Sequence, residues 1–149
     1  MAINPHDHSP AATFDQEMQI EPPAEALTFQ GQFLMALYSD EQKQKLYGYM
    51  GTSGGNYTIG VAKKDALKIN KYQYYAITCY QYGNRYLSVS TFAYVGWYLW
   101  NGATGWTQQP NGLFTSVWNG QNLSSRAPAG DYLFAWNPYS PLFVNPEAA

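Results

Sequence analysis

The stretch GWYLWNG, residues 96–102, places two tryptophans, a tyrosine and a leucine between two glycines. It is too short for a helix and too apolar for an ordinary exposed loop, which predicts a short β-strand that ends in an Asn-Gly turn. A Gly-x-Tyr start followed by apolar side chains occurs twice more, in GNYTIGV at 55–61 and in GDYLFAW at 130–136. The chain is therefore expected to use this kind of strand three times.

Three further landmarks accompany each of these strands in the same order, which indicates an internal repeat. They are an upstream apolar run (33–39, 74–81, 113–120), a leucine (Leu46, Leu87, Leu123) and a short fourth strand (66–70, 105–109, 141–145). Turn residues such as Asn-Gly and Gly-Gly separate the runs, as is typical of hairpins. The pattern predicts three units of about 40 residues with four short strands each.

Three such units resemble the β-trefoil, a barrel of six strands capped by three hairpins. The resemblance covers about residues 29–145 and is one of architecture, within a domain at 29–149. The repeats would span about 29–68, 69–108 and 109–145. The Gln-x-Trp signature of ricin-type trefoil lectins is absent from the fourth strands, where GWTQQ stands at 105–109. The resemblance therefore implies an all-β fold and carbohydrate binding as a common use, and it transfers no ligand residues.

The first 28 residues differ from the rest, since they hold four prolines, five of the ten acidic residues and no sustained apolar period. This composition predicts an extended or disordered N-terminal arm at 1–28. His6 and His8 lie there without a cysteine or third histidine nearby, so no metal site is predicted. The start has neither a basic segment nor an apolar run. We therefore expect no signal peptide and a cytoplasmic protein, with non-classical release left open.

Several function classes are excluded by composition. A net charge of −2 leaves no electrostatic footprint for nucleic acid, and no apolar run approaches the ~18 residues of a membrane span. Asp131 is the only carboxylate between Ala66 and Pro146, and both histidines precede the domain. Paired carboxylates, an activated nucleophile and a cofactor motif are thus not recognisable. The chain is expected to be no enzyme and to need no cofactor or metal.

The later two repeats pair aromatic with amide or charged side chains, which suits carbohydrate binding. Rings can cover the apolar faces of a sugar, while amide and charged groups bond to its hydroxyls. The candidate ligand residues are Trp97 with Asn101, Trp118 with Asn119, Trp136 with Asn137, and Arg126 with Asp131. The alternative for each pair is that the asparagine forms a turn and the tryptophan packs in the core.

Alternation along the third strands places Tyr57, Tyr98 and Tyr132 on the core face and leaves Trp97 on the other face. Asp131 has two predicted roles, an ion pair with Arg126 or an acceptor for sugar hydroxyls.

A lectin that binds glycans or glycoconjugates through loops of the trefoil is the first functional hypothesis. A weakly charged, tyrosine-rich surface also suits lateral association. A self-assembling structural or toxin-like protein that forms a homo-oligomer is therefore the second hypothesis. A protease inhibitor with an exposed loop is the third.

Overall fold

The computed structural model describes residues 29–72, 77–79, 81 and 85–149. These residues form thirteen β-strands and one 3-10 turn at Lys63–Asp65, without an α-helix. The strands are β1 Phe29–Tyr38, β2 Leu46–Thr52, β3 Thr58–Val61, β4 Ile69–Tyr72, β5 Ile77–Cys79, β6 Tyr86–Val89, β7 Val95–Tyr98, β8 Trp106–Gln108, β9 Phe114–Ser116, β10 Leu123–Ser125, β11 Leu133–Ala135, β12 Ser140–Pro141 and β13 Phe143–Glu147. The prediction of an all-β fold is confirmed. The arm predicted at 1–28 lies outside the described residues.

Strand β1 is the centre of the largest sheet. Its ten residues pair antiparallel with β4 in the first half and with β2 in the second, and β13 covers its other edge. The sheet order is β3-β2-β1-β4-β5-β6-β7, with β13 on β1. A bridge between Leu113 and Phe143 connects β13 to the beginning of β9, which pairs with β8. The result is a nearly closed, barrel-like arrangement.

The barrel is filled by side chains that alternate inward along these strands. Met35 and Leu37 on β1 and Met50 on β2 are fully buried, as are Leu87 and Leu133 from the later strands. Burying one such side chain stabilises the folded state by about 1.5–3 kcal/mol. One continuous apolar cluster therefore joins the first, middle and last thirds of the domain.

Strands β3, β7 and β11 meet at one end of the barrel. Isolated bridges connect them in a triangle, Tyr57 with Gly96, Tyr94 with Phe134, and Ile59 with Tyr132. The rings of Tyr57, Tyr94 and Tyr132 contact one another there, with centroids 5.6 to 6.3 Å apart. The central tyrosine of the middle strand is therefore Tyr94.

Tyr98, which was predicted to share the core face with Tyr57 and Tyr132, is fully buried, and its ring also contacts Tyr57, with centroids 6.5 Å apart. In the triangle of bridges, however, the middle position is taken by Tyr94. Each central tyrosine directly precedes its strand, and β7 begins at Val95. The tight turn before β7 is closed by backbone hydrogen bonds from Ser90 to Tyr94 and from Ala93 to Ser90. This turn places Tyr94, four residues before Tyr98, at the centre. A register change of this kind cannot be read from side-chain alternation alone.

Among the described residues, no helix is both long enough and apolar enough to cross a membrane.

Candidate functional site

Trp97 and Asn101 lie inside the protein. Trp97 is 0% exposed within the main apolar cluster, so the prediction that this ring lies outside the core is wrong. Asn101 is 2% exposed, and its carboxamide oxygen accepts hydrogen bonds from the Ser88 hydroxyl at 3.0 Å and the Ala103 N–H at 2.7 Å. Its amide nitrogen donates to the Leu99 carbonyl at 2.8 Å. Asn101 thus closes a buried turn, and neither side chain presents a surface to a ligand.

Arg126 and Asp131 form an ion pair on the β10–β11 hairpin. The guanidinium donates through Nε at 2.7 Å and through Nη2 at 3.2 Å to the two carboxylate oxygens. It also lies 4.8 Å from the ring centroid of Phe134. Bonding to Asp131 raises the pKa of Arg126, and burial raises the pKa of Tyr94 and of Tyr139. The ion-pair role predicted for Asp131 is present in the structure.

Trp118 is exposed, with 41% of its surface accessible. It lies on the turn from Ser116 to Gly120, which a hydrogen bond from the Gly120 N–H to the Ser116 carbonyl closes at 2.9 Å. Its backbone N–H donates to the Ser116 hydroxyl at 3.2 Å. Asn119, on the same turn, accepts the Gln121 N–H at 2.9 Å. This turn presents an indole ring to solvent.

Trp136 is half-buried, and Asn137 beside it is exposed. The side-chain oxygen of Asn137 accepts the backbone N–H of Asn122 at 2.8 Å, and its own N–H donates to the side chain of Gln121 at 2.9 Å. These reciprocal bonds connect the β9–β10 loop to the loop after β11. Asn137 is therefore held in place beside the residues that follow Trp118.

An open groove of about 470 Å³ lies between the β8–β9 loop and the β9–β10 loop. We call it the amide groove; its lining residues are Gln109, Pro110, Asn111, Leu113, Thr115, Gly120 and Asn122. A smaller depression of about 250 Å³, the side pocket, is lined by Asn122, Ser124, Asn137, Tyr139 and Pro141. Asn122 belongs to both, so the two depressions meet at that residue. Trp118 is two residues from Gly120 at the edge of the amide groove.

The amides at these two depressions have a fixed orientation. A backbone N–H can only donate, so the side-chain atom that faces it must be the carbonyl oxygen. Asn111 accepts the Leu113 N–H at 3.2 Å, and Asn137 accepts the Asn122 N–H. Asn122 accepts the Thr115 hydroxyl at 2.7 Å. The oxygens of Asn111 and Asn137 are thus engaged by the protein, and no partner of their NH₂ groups is found within the described ranges.

Lys43, on the β1–β2 loop, reaches Asn111, which lines the amide groove. Its ammonium donates to the Asn111 carbonyl at 3.4 Å, across 68 positions of sequence. The approach depends on Gly112, where an added Cβ would lie 3.1 Å from both Cε and Nζ of the lysine. Within the described part of the chain, Lys43 has no carboxylate partner. The ammonium of Lys43 is therefore next to a residue that lines the amide groove.

A second, more apolar groove of about 660 Å³ lies over β2 and β3. Leu46, Tyr47 and Val61 line it, and Lys63 at its rim is 3.2 Å from Glu147. The Glu147 carboxylate raises the pKa of Lys63 by hydrogen bonding and by its charge. The polar group at this groove is therefore already paired, and convergent polar groups for a small ligand are not found among its lining residues.

The structure brings together three of the eight predicted ligand residues, namely Trp118, Asn119 and Asn137, on adjoining loops. Sequence reasoning missed Gln109, Asn111, Thr115 and Asn122. Their signal was the Pro-Asn-Gly turn at 110–112 and the Gln-Asn pair at 121–122, which were interpreted as turn chemistry. Asn111 does form a turn, in which its side-chain oxygen accepts the Leu113 N–H.

Metal ligands do not converge anywhere in the described ranges, where no group of three His, Cys, Asp or Glu side chains is found. Comparisons with protein-family models, curated proteins and solved structures give no match. Function must therefore be inferred from the residues of the grooves themselves.

Proposed function

We propose that the domain is a β-trefoil, with a register that differs from the one expected from its leucines. The support is a spacing of 36 to 38 residues between equivalent positions. The second strands pair Met50 with Gly60, Leu87 with Trp97, and Leu123 with Ala135. The fourth strands begin at Ile69, Trp106 and Phe143, and the central tyrosines are Tyr57, Tyr94 and Tyr132. Met50 thus replaces Leu46, which is 53% exposed, as the first-repeat landmark.

We propose further that this protein is a lectin that binds glycans at the amide groove. The observation that carries the proposal is the orientation of Asn111 and Asn137, whose oxygens accept backbone N–H groups and whose NH₂ groups remain as donors, together with the exposed Trp118, two residues from the lining residue Gly120. An indole ring covers the C–H face of a sugar, and fixed amides bond to the oxygens around its rim. An open groove of about 470 Å³ matches the size range of small-molecule sites.

The lining residues also favour binding over catalysis. Neither the amide groove nor the side pocket is lined by a carboxylate, a histidine or a cysteine. Glycoside hydrolysis normally uses two carboxylates that face each other across the sugar. We therefore propose a binding protein that leaves its ligand chemically unchanged.

Self-association is the second candidate function, because Val117 and Trp118 are exposed side by side at 57% and 41%. Two adjacent large apolar side chains could pack against the same turn of another copy, since apolar surface of this kind marks interaction sites. In that case Trp118 would be covered by protein rather than by sugar. The two functions differ in their concentration dependence.

A glycan array probed with dilute protein, together with light scattering over a concentration series, tests the proposal. Trp118→Ala is expected to weaken glycan binding about tenfold, because it removes one buried apolar face. Leu46→Ala is the matched control, since Leu46 is also exposed but lines the apolar groove over β2 and β3. A blank array with mass that increases with concentration, and that Trp118→Ala abolishes, would reject the lectin and favour self-association.

A further inference from the structure

We infer that the amide groove selects glycans that carry an oxyanion, either a carboxylate or a sulfate. This inference rests on the proposed glycan binding and adds the chemical class of the ligand. It depends on the polarity of the groups that line the groove and on the position of Lys43. Neither was apparent from the sequence.

The hydrogen-bond polarity of Asn111 and Asn137 is fixed by the protein. Their oxygens accept backbone N–H groups, which leaves their NH₂ groups as the side available to a ligand. Asn122 shares a hydrogen bond with the Thr115 hydroxyl, a group that can both donate and accept. Each NH₂ offers two donors and no acceptor. A surface of this kind suits oxygens that only accept, as in a carboxylate or a sulfate, better than hydroxyls, which also need an acceptor.

Negatively charged side chains are absent from the lining of both depressions, since neither the amide groove nor the side pocket is lined by Asp or Glu. The nearby Asp40 carboxylate is bound to the N–H groups of Gln44 and Lys45, and Lys45 is its cationic neighbour. Arg126 is neutralised by Asp131. Lys43 is thus the cation next to the amide groove that lacks a carboxylate partner within the described residues, so its charge acts on a ligand there.

The backbone of Lys43 has a φ of 56°. This lies in the left-handed region, which disfavours a residue with a Cβ and commonly takes glycine. A lysine at this position adds backbone strain but directs an ammonium at Asn111. Gly112, with φ 101°, leaves the space that the lysine occupies. The two loops are therefore fitted to each other so that the charge reaches the groove.

The size of the two depressions exceeds that of a small anion. The amide groove of about 470 Å³ meets the side pocket of about 250 Å³ at Asn122, and together they are much larger than a free sulfate or acetate ion. The donors of Asn111 and Asn137 belong to different depressions, so one small anion cannot use both. The arrangement suits an extended ligand of two or more sugar units whose charged group lies near the Asn111 end.

The test uses an array on which each trisaccharide backbone is present as neutral, 6-sulfated and uronic-acid forms. We expect the charged members of at least one set to bind about tenfold more tightly than the neutral member at 50 mM salt, with the difference reduced at 300 mM salt because screening is stronger. Equal binding of neutral and charged members would overturn the inference and leave glycan binding intact. A blank array would overturn the proposed function itself.

Two isosteric variants locate the effect. Asn137→Asp keeps the oxygen that accepts the Asn122 N–H but replaces the NH₂ donor by a negative charge, so binding of charged glycans should decrease at least tenfold. Asn119→Asp is its control, because it makes the same change on the neighbouring turn outside both groove linings.

Lys43→Gln should reduce the preference for charged over neutral glycans about tenfold, whereas Lys45→Gln, with the same charge change on the same loop, should leave it within twofold. Thermal melting verifies that all four variants fold. If Asn137→Asp and Lys43→Gln both keep the parental preference within twofold, the inference is wrong. Inorganic sulfate as competitor distinguishes a simple anion site, since complete competition at low millimolar concentration would also contradict a site built for an extended ligand.

Discussion

Arg126 and Asp131 lie at opposite ends of the loop that joins β10 and β11. The guanidinium donates to both oxygens of the carboxylate, at 2.7 and 3.2 Å. Their side chains are 23% and 26% exposed, and the arginine also stacks on Phe134. This geometry assigns Asp131 a structural partner. A sugar hydroxyl would have to compete with the guanidinium for the same oxygens.

Asp131→Asn is therefore expected to reduce the free energy of unfolding by about 1 kcal/mol, in the upper range for partly exposed ion pairs. This corresponds to a decrease of about 3 °C in the melting temperature for a domain of this size. Glycan binding should be unchanged. A variant that keeps the parental melting temperature but loses glycan affinity would instead show that Asp131 contacts the ligand.

Trp97→Ala and Trp118→Ala should have opposite consequences. Trp97 is fully buried, so truncation should reduce the free energy of unfolding by about 3–5 kcal/mol through the cavity that it leaves. Trp118 is 41% exposed, and its truncation should change stability by less than about 1 kcal/mol. Chemical denaturation of both variants measures the difference. Comparable losses would contradict the burial of Trp97.

Gly96→Ala should be destabilising because β7 closely approaches the hairpin of β2 and β3. An added Cβ would lie 2.8 Å from the Asn56 carbonyl oxygen, which accepts the Trp97 N–H at 2.7 Å. We expect a loss of roughly 1–3 kcal/mol in the free energy of unfolding. Gly55→Ala is the control, since its Cβ would meet nothing within 4 Å. Equal stability of the two variants would disprove the close approach of β3 and β7.

Asp40 should contribute to stability in a pH-dependent way. Desolvation raises its pKa, but hydrogen bonds from the backbone of Lys45 and Gln44 outweigh this and hold the pKa below its usual value of 3.8. A lowered folded-state pKa stabilises the protein above the unfolded pKa, and this contribution is lost as the pH falls through the folded pKa.

Asp40→Asn should therefore melt below the parent at pH 7, with the difference disappearing as the pH falls through the lowered folded-state pKa of Asp40. Glu41→Gln, on the same loop, serves as the control for a simple change of net charge. A constant difference between parent and Asp40→Asn at every pH would refute the electrostatic origin of the effect.

Deletion of residues 1–28 should leave a domain that unfolds cooperatively. The described pairings of β1 with β2, β4 and β13 begin at Phe29, and the buried Met35 and Leu37 also follow the deletion point. Thermal unfolding followed by circular dichroism tests this. A truncated chain that does not fold, or that no longer self-associates when the parent does, would assign the first 28 residues a structural role.

The amino-acid sequence by itself determined the all-β class and the places where the chain turns. Runs of strand-forming residues, and the Gly and Asn residues that separate them, are local properties of the chain. They favour strands and turns wherever these residues lie in the fold. They were also sufficient to identify Trp118, Asn119 and Asn137 as surface residues near turns. Local chemistry, however, could not distinguish the buried Asn101 from the exposed Asn137, because asparagine forms both kinds of turn.

Tertiary structure alone decided the register and the site. Alternation states which residues share a face only after the pairing is known, and the tight turn before β7 leads to the bridge between Tyr94 and Phe134, while Trp97 on β7 is fully buried. The approach of Lys43 to Asn111 likewise depends on the loops of two distant segments meeting across the barrel. Contacts between residues 68 positions apart leave no periodic trace in the sequence, since they are produced by packing of the whole barrel rather than by any neighbouring residues.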